Sequence, residues 1–195
     1  MSQAKAQEIL TQSQALLNGH FLLTSGRHAG QYMQCAKVQQ HPQQLEAMAK
    51  IIAEGFAGDE VDIVIAPAIG GIVIGYELAR QLGCKSIFTE RVDGKVELRR
   101  GFEIPKGARV VIAEDVVTTG LSTQEVIDLA LAQGAQIVGV GVMVDRTGGN
   151  LPLDTKVVAA YSKAIISYTP GECPLCKQGD LPLVKPGSRI QPSPH

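Results

Sequence analysis

Tryptophan is absent from this chain of 195 residues, and aromatic residues make up only 4% of it. A core must therefore be built from Val, Ile, Leu and Ala, which the 45% hydrophobic content supplies. Basic excess is also missing. The formal charge is -1, with no aromatic residues interleaved among lysines and arginines, which excludes nucleic acid as the main partner. The longest nearly uncharged apolar stretch, Ile63 to Tyr76, is too short to span a bilayer and is broken by Pro67 and several glycines. The opening MSQAKAQEIL lacks the basic-then-apolar order of a signal peptide, so a cytoplasmic location is expected.

Cysteine is scarce, with four residues in all. Cys35 and Cys84 stand alone and are expected to be reduced. Cys173-Pro-Leu-Cys176 has the spacing of half a zinc site, and one such pair cannot close a tetrahedron. It reads either as two reduced thiols in a tail loop or as half of a site. Cys35 and Cys84, or a second pair on a partner chain, would then complete that site.

The periodicity predicts a helix over 2–18, with Ala4, Ile9, Leu10, Leu16 and Leu17 near helical spacing and Asn18-Gly19 at its end. Two short strands joined by a loop follow in 20–38. A helix over 42–57 places Leu45, Met48, Ala49, Ile52 and Phe56 on one face. Strands are expected at 62–66, 85–89, 109–113, 137–144 and 157–160, with helices at 72–82 and 122–133. The first of these strands, DIVIA, is apolar on both faces, as a parallel sheet requires. The charged segment 90–103, with Gly94 and Gly101, reads as a hairpin or a mobile loop. This order spells an α/β fold with a mainly parallel sheet flanked by helices. The proline-rich residues 185–195 read as a disordered tail.

The most informative stretch is RVVIAEDVVTTGLST, residues 109–123. An apolar strand runs into Glu114 and Asp115, and a loop without bulk or charge leads into a helix. Ligands of open parallel sheets sit at the carboxyl ends of the strands, and first-turn helix amides lack intrahelical partners and favour anions. Gly120 permits close backbone approach, and Thr118, Thr119, Ser122 and Thr123 add hydroxyls. The loop thus reads as a phosphate cradle without a lysine. Beside it, two carboxylates can accept hydrogen bonds from vicinal hydroxyls, so the expected ligand is a phosphorylated ribose. Neither GxxxxGKS/T nor a GxGxxG fingerprint in context is present. A simple N-capping turn, with Ser122 or Thr123 as cap, is the bland alternative.

VVIAEDVVTTG resembles the signature of the type I phosphoribosyltransferases. HFLLTSGRHAGQY (20–32) and MVDRTGG (143–149) are similar to stretches of the orotate phosphoribosyltransferases, and the likeness spans about residues 16–170. It implies one domain over 1–184, with a small hood at 1–40 and a core at 41–170. It also implies transfer of a phosphoribosyl group from 5-phosphoribosyl 1-diphosphate to orotate, giving orotidine 5-monophosphate and diphosphate, in pyrimidine nucleotide biosynthesis. Glu114 and Asp115 would bind the ribose hydroxyls. The loop Val116, Val117, Thr118, Thr119, Gly120, Leu121 and Ser122 would hold the sugar phosphate. Thr118 and Arg146 would contact orotate, with an ion pair from Arg146 to Asp145 or Asp115 as the competing reading. Ala68, Ile69, Gly70 and Gly71 match the diphosphate loop. Arg91 and Lys95 match a mobile catalytic loop, acting with Asp115.

The resemblance further implies Mg²⁺ held mainly through substrate, and a homodimer with shared active sites. Lysines common in the family are replaced by Thr24, Gly70 and Val92, and a histidine by Glu97, with Arg99 and Arg100 nearby. Two other readings share the fold: a purine or xanthine phosphoribosyltransferase, and a non-catalytic regulator that keeps the sugar-phosphate pocket.

Overall fold

In the computed structural model, residues 3–23 and 25–186 are described. Most of the expected tail, 187–195, and Thr24 lie outside the described residues. The larger of two sheets has six strands: β3 (Ile63–Pro67), β4 (Lys85–Val92), β5 (Lys95–Leu98), β6 (Arg109–Val117), β7 (Gln136–Asp145) and β8 (Val157–Ser162). Their order is β5-β4-β3-β6-β7-β8. All neighbours pair parallel except β4 and β5, which form an antiparallel hairpin at the edge.

The central strands are apolar on both faces because both are covered. Val64, Ala66, Val111 and Ala113 pack against α3 (Pro42–Glu54) and α4 (Gly70–Leu82) through Met48, Ile52, Ile74 and Leu78. Their alternates Ile63, Ile65, Val110 and Ile112 meet Val126, Ile127 and Ala130 of α5 (Leu121–Ala132). The period-two side-chain alternation of a strand thus divides one hydrophobic run between two cores.

From β3 the chain crosses through α4 to β4 on one side, and β6 then enters on the other side of β3. The strand order reverses there. Such a reversal opens a crevice beyond the carboxyl ends of the two strands, and ligands bind in that crevice. The loops after β3 and β6 are the two that the sequence marks for phosphate.

A smaller sheet has the order β10-β1-β2-β9, formed by β1 (Leu16–Leu22), β2 (His28–Met33), β9 (Ser167–Tyr168) and β10 (Leu183–Val184). Two short helices, α2 (Ala36–Gln39) and α6 (Pro174–Gln178), complete the described chain with α1 (Gln3–Gln12). The helix expected over 2–18 therefore stops early. Gln14 adopts φ 52, and Leu16 and Leu17 pair with Met33 and Tyr32 of β2. Strand pairing overrides the helical spacing of these two leucines. The strand expected at 109–113 extends to Val117, so Glu114 and Asp115 lie within β6 rather than beyond it.

Packing at the centre leaves no slack. A Cβ at Gly141 of β7 would lie 2.7 Å from Ile52 Cγ2 and 3.0 Å from Leu78 Cδ2. Gly141→Ala is expected to destabilise the chain by about 1–3 kcal/mol through overpacking. Urea denaturation should show a lower midpoint with an unchanged slope.

Candidate functional site

Glu114 is buried at the end of β6, yet it lines a hollow of about 130 Å³ whose other walls are Val116 to Thr123. Asp115 lies against the loop after β3 and accepts a hydrogen bond from the Val116 amide at 2.8 Å. Burial and the adjacent Asp115 carboxylate push Glu114 well above the ordinary carboxylate range. Burial also raises Asp115, partly opposed by its hydrogen bonds. Two acids that resist ionisation in the free chain are prepared for a ligand that donates hydrogen bonds or brings positive charge.

The loop after β6 is an open cradle. Gly120 is the N-cap of α5 in a left-handed conformation (φ 79), and no side chain caps the helix. Gln124 makes the first intrahelical bond, to the Gly120 carbonyl at 2.8 Å. Ser122 and Thr123 stand inside the first turn rather than capping it, which removes the bland reading of this turn. The Leu121, Ser122 and Thr123 amides lie in the first turn, where a helix leaves donors without internal partners. Thr118 and Thr119 are exposed at the rim, and Val117 is buried beneath them.

The loop after β3 closes the other side. Its Ala68–Ile69 peptide is cis, the Ala68 amide bonds the Thr89 carbonyl at 2.8 Å, and Ile69 is exposed. Gln39 of α2 donates to the Gly70 carbonyl at 2.9 Å. A Cβ at Gly70 would stand 2.7 Å from Asp115 Oδ2, and one at Gly71 would stand 3.1 Å from the Ala113 carbonyl. Gly70 is therefore the condition for bringing this loop against the acid. A larger residue at this position would require the Asp115 carboxylate to move.

Beyond the cradle opens a cavity of about 610 Å³, lined by Ser25 and Arg27 of the β1–β2 turn, by Tyr32 of β2, by Thr118 and Thr119, and by Arg146. Arg146 follows β7 and its amide bonds the Val117 carbonyl at 3.0 Å. Its Nε is buried with no hydrogen-bond partner among the described residues. Burial pulls this guanidinium below its ordinary range, while Tyr32 and Cys35 act in the opposite direction. The competing ion pair with Asp145 is not formed. Asp145 accepts bonds from the Thr147 amide and hydroxyl, the Gly149 amide and the Ser162 hydroxyl, all at 2.7–2.8 Å. These bonds outweigh its burial and keep it below the ordinary carboxylate range. Asp145 shapes the turn, and Arg146 is left with donor capacity facing the cavity. A hollow of about 600 Å³ at the opposite end of the sheet, near Asp62 and Lys106, offers less. Arg109 already satisfies Asp62 there.

The segment 90–103 is the β4–β5 hairpin with its flank, turning at Asp93-Gly94. Arg91 binds the Glu125 carboxylate of α5 and the Gly94 carbonyl. Lys95 is exposed at the start of β5, opposite Val92. Arg100 is engaged by Glu90 at 2.7 Å and lies 5.7 Å from the Phe88 ring centroid. The structure brings the acid pair, the cradle, the Gly70 loop and Arg146 together, and leaves Arg91 and Lys95 on the exposed hairpin.

Sequence reasoning did not single out Arg27 or Tyr32 individually. Arg27 is held by Ser167, through Nε to Oγ at 2.8 Å and Nη2 to the carbonyl at 2.5 Å, a contact across 140 positions that no local signal announces. Cys173 and Cys176 are free, and Cys35, one of the residues weighed to complete a site with them, lies elsewhere. Cys35 instead donates to the Asp115 carbonyl at 3.4 Å, and His20 and His28 gather beside Cys173 and Cys176.

A family model, the phosphoribosyl transferase domain, matches residues 35–168. The chain is 52% identical over 194 residues, spanning all of both proteins, to an orotate phosphoribosyltransferase of Chlorobium phaeobacteroides. It is 48% identical to one of Caldanaerobacter subterraneus subsp. tengcongensis, across 97% of this chain and 99% of the relative. Among solved structures it resembles the orotate phosphoribosyltransferase of Aeropyrum pernix, at a TM-score of 0.68 and 25% identity, covering 80% of this chain and 92% of that one. Adenine phosphoribosyltransferase from Rhodothermus marinus has the same fold, at a TM-score of 0.67 and 22% identity over 82% of this chain and 99% of the other. With an acid pair, Glu114 buried and Asp115 half-buried, and an uncapped helix start at the switch point of its sheet, the chain belongs to the phosphoribosyltransferase family and, within it, to the orotate phosphoribosyltransferases.

Proposed function

We infer that this chain transfers the 5-phosphoribosyl group from 5-phosphoribosyl 1-diphosphate to orotate, releasing diphosphate and orotidine 5-monophosphate, in the cytoplasm as a step of pyrimidine nucleotide synthesis. The observation that carries this reading is a pair of adjoining hollows that share Val116, Thr118, Thr119 and Leu121 as walls. The uncapped start of α5 and Glu114 line one, and Arg146, whose buried Nε has no partner among the described residues, lines the other. A phosphate and a ribose fit the first and an anionic base the second, in the order in which they are joined in the product.

The backbone of Val116 to Ser122 receives the 5-phosphate, and Glu114 and Asp115 accept hydrogen bonds from the ribose hydroxyls. Ala68, Ile69, Gly70 and Gly71 meet the diphosphate, whose anionic oxygens suit converging amides. Arg146, with Thr118, orients orotate, since a guanidinium fork matches a carboxylate or paired acceptors. Arg91 and Lys95 close over the departing diphosphate, stabilise its charge and exclude water. For this closure Arg91 exchanges its Glu125 partner for the leaving group.

Mg²⁺ fits this donor set. Carboxylate and hydroxyl oxygens are its preferred ligands, and Glu114 and Asp115, in the crevice with the diphosphate, would hold it mainly through bound water and substrate. When bound, it neutralises diphosphate charge. We further propose a homodimer in which the β4–β5 hairpin of one protomer serves its partner's crevice.

The direct test is orotate consumption, followed by ultraviolet absorbance, with Mg²⁺ and the sugar donor present and adenine, hypoxanthine and xanthine as comparison bases. Orotate alone should react, and Arg146→Gln should raise its KM by about 10–100-fold, the loss of one charge-assisted contact. Reaction with a purine in place of orotate would overturn the assignment.

Lys95→Ala should lower turnover by about 10²–10³-fold, as loss of a transition-state donor does, without changing thermal stability. Mixed with Asp115→Asn, under conditions of subunit exchange, it should recover part of the lost turnover, because one crevice per hybrid is then intact. No recovery after demonstrated exchange would refute the shared site.

Glu114→Gln should have opposite effects on stability and turnover. The folded carboxyl holds its proton above the ordinary value of 4.5, so its contribution to stability is full at acid pH and is lost as pH rises towards the folded value. Glutamine does not ionise. The free variant should therefore melt higher than the parent at neutral pH, with a gap that widens from about pH 5 upward, while its turnover falls.

A further inference from the structure

The segment after β9 is attached to the small sheet by very little apolar surface. Helix α6 buries no residue other than its N-cap, Cys173, and Leu183 and Val184 of β10 remain 46% and 48% exposed. Each ordered residue costs about 1–2 kcal/mol of backbone entropy, and short structures without a core need a staple. A staple is present in the side chains. One ligand atom from each of His20, His28, Cys173 and Cys176 lies within 4.8 Å of the others.

The distances describe a polyhedron rather than a chain of hydrogen bonds. His20 Nε2 lies 3.1 Å from His28 Nδ1 and 3.5 Å from the sulfurs of both Cys173 and Cys176. His28 Nδ1 lies 3.2 Å from Cys176 Sγ. One ring nitrogen offers either one proton or one lone pair, so three partners around His20 Nε2 exceed what hydrogen bonding can use. A tetrahedral Zn²⁺ with bonds of about 2.0 Å to nitrogen and 2.3 Å to sulfur has N···N edges of about 3.3 Å and N···S edges of about 3.5 Å. Four of the six separations fall at these edges or slightly inside them, and the other two are within 4.8 Å.

The surroundings agree with this reading. His20 Nδ1 lies 3.4 Å from the Leu181 carbonyl, an acceptor only, so the proton sits on Nδ1 and Nε2 presents its lone pair to the cluster. This is the outer contact that metal-bound histidines make. His20, His28 and Cys173 are buried and Cys176 is at the surface, which leaves the ion an entry path.

We propose that His20, His28, Cys173 and Cys176 bind one structural Zn²⁺ that fastens the C-terminal segment to the small sheet. Binding releases two thiol protons, and two thiolates balance the ion's charge, so a neutral unit occupies the site. All four positions are filled by the protein, as in structural rather than catalytic zinc sites. The link spans β1, β2 and α6, and His28 adjoins Arg27 of the base cavity. The metal therefore holds the wall of that cavity in place without touching the reacting atoms. It is independent of which base the enzyme uses.

The test uses the full chain purified without chelator. Metal analysis should find one zinc per chain, and Cys176→Ser and His28→Gln should each lower this at least about tenfold while the core keeps its far-ultraviolet dichroism. The reduced, metal-free parent, titrated with Co²⁺, should develop the visible bands of a tetrahedral thiolate site. Removal of zinc should speed tryptic cleavage at the exposed Lys177 by at least about tenfold. A reduced chain that is isolated without zinc and takes up neither Zn²⁺ nor Co²⁺ would overturn the proposal. So would a Cys173–Cys176 disulfide persisting under reducing conditions, or cleavage at Lys177 indifferent to metal.

Discussion

Two carboxylates at the tip of the central strand are the constraint around which this molecule is arranged. Strand β6 is buried through Val110 to Ala113, and its next residue is Glu114, which remains buried although it is acidic. Removing a carboxylate from water is expensive unless it is neutral or well bonded. Here the pair is only partly satisfied: the Val116 amide donates to Asp115 at 2.8 Å, and the Asp115 amide also lowers both carboxyls, without offsetting their burial. The free chain relieves the conflict by holding protons more tightly. A ligand of the proposed kind would relieve it by supplying hydroxyls and a cation, as expected of a site shaped for its ligand rather than for its own packing.

Everything else at the crevice concerns approach. The strand order places the ends of β3 and β6 side by side, but adjacency alone would not let their loops touch. Gly70 lies so close to Asp115 that even a methyl group would collide with the carboxylate, and Gly120 turns the backbone through a conformation that other residues rarely adopt. Asp145 spends all its acceptor capacity on Thr147, Gly149 and Ser162. That arrangement keeps the neighbouring Arg146 from being neutralised by the nearest acid.

Much of the large sheet was legible because it rests on local signals. Apolar runs marked β3, β4, β6, β7 and β8, and the loop after β6 was legible as an open, uncapped turn into a helix. What escaped depends on distant partners. Leu16 and Leu17 continue the helical spacing of α1, and only pairing with β2 makes them a strand. The two-residue strands β9 and β10 have no periodicity to detect, and they exist because β2 and β1 offer free edges. Cys173 and Cys176 announced half of a site by their spacing. The completing residues are histidines at positions 20 and 28, and nothing in a linear reading distinguishes them from ordinary strand residues.

The division of labour between the two sheets follows from this difference. The adenine enzyme of Rhodothermus marinus and the orotate enzyme of Aeropyrum pernix match this chain at similar TM-scores, so the fold by itself does not select the base. In the proposed reading, selection falls to the far wall of the cavity, lined by Arg27 of the β1–β2 turn, Tyr32 of β2 and Arg146. That wall is made of short strands drawn from both ends of the chain, and Arg27 is positioned by Ser167 rather than by its neighbours in sequence. A core of valines and isoleucines stabilises the shared chemistry. The wall proposed to discriminate between bases rests on a thin sheet with little apolar burial of its own, so it needs tethers that act over long stretches of sequence. Precision at the base end therefore depends on how firmly the last described residues are fastened to the first.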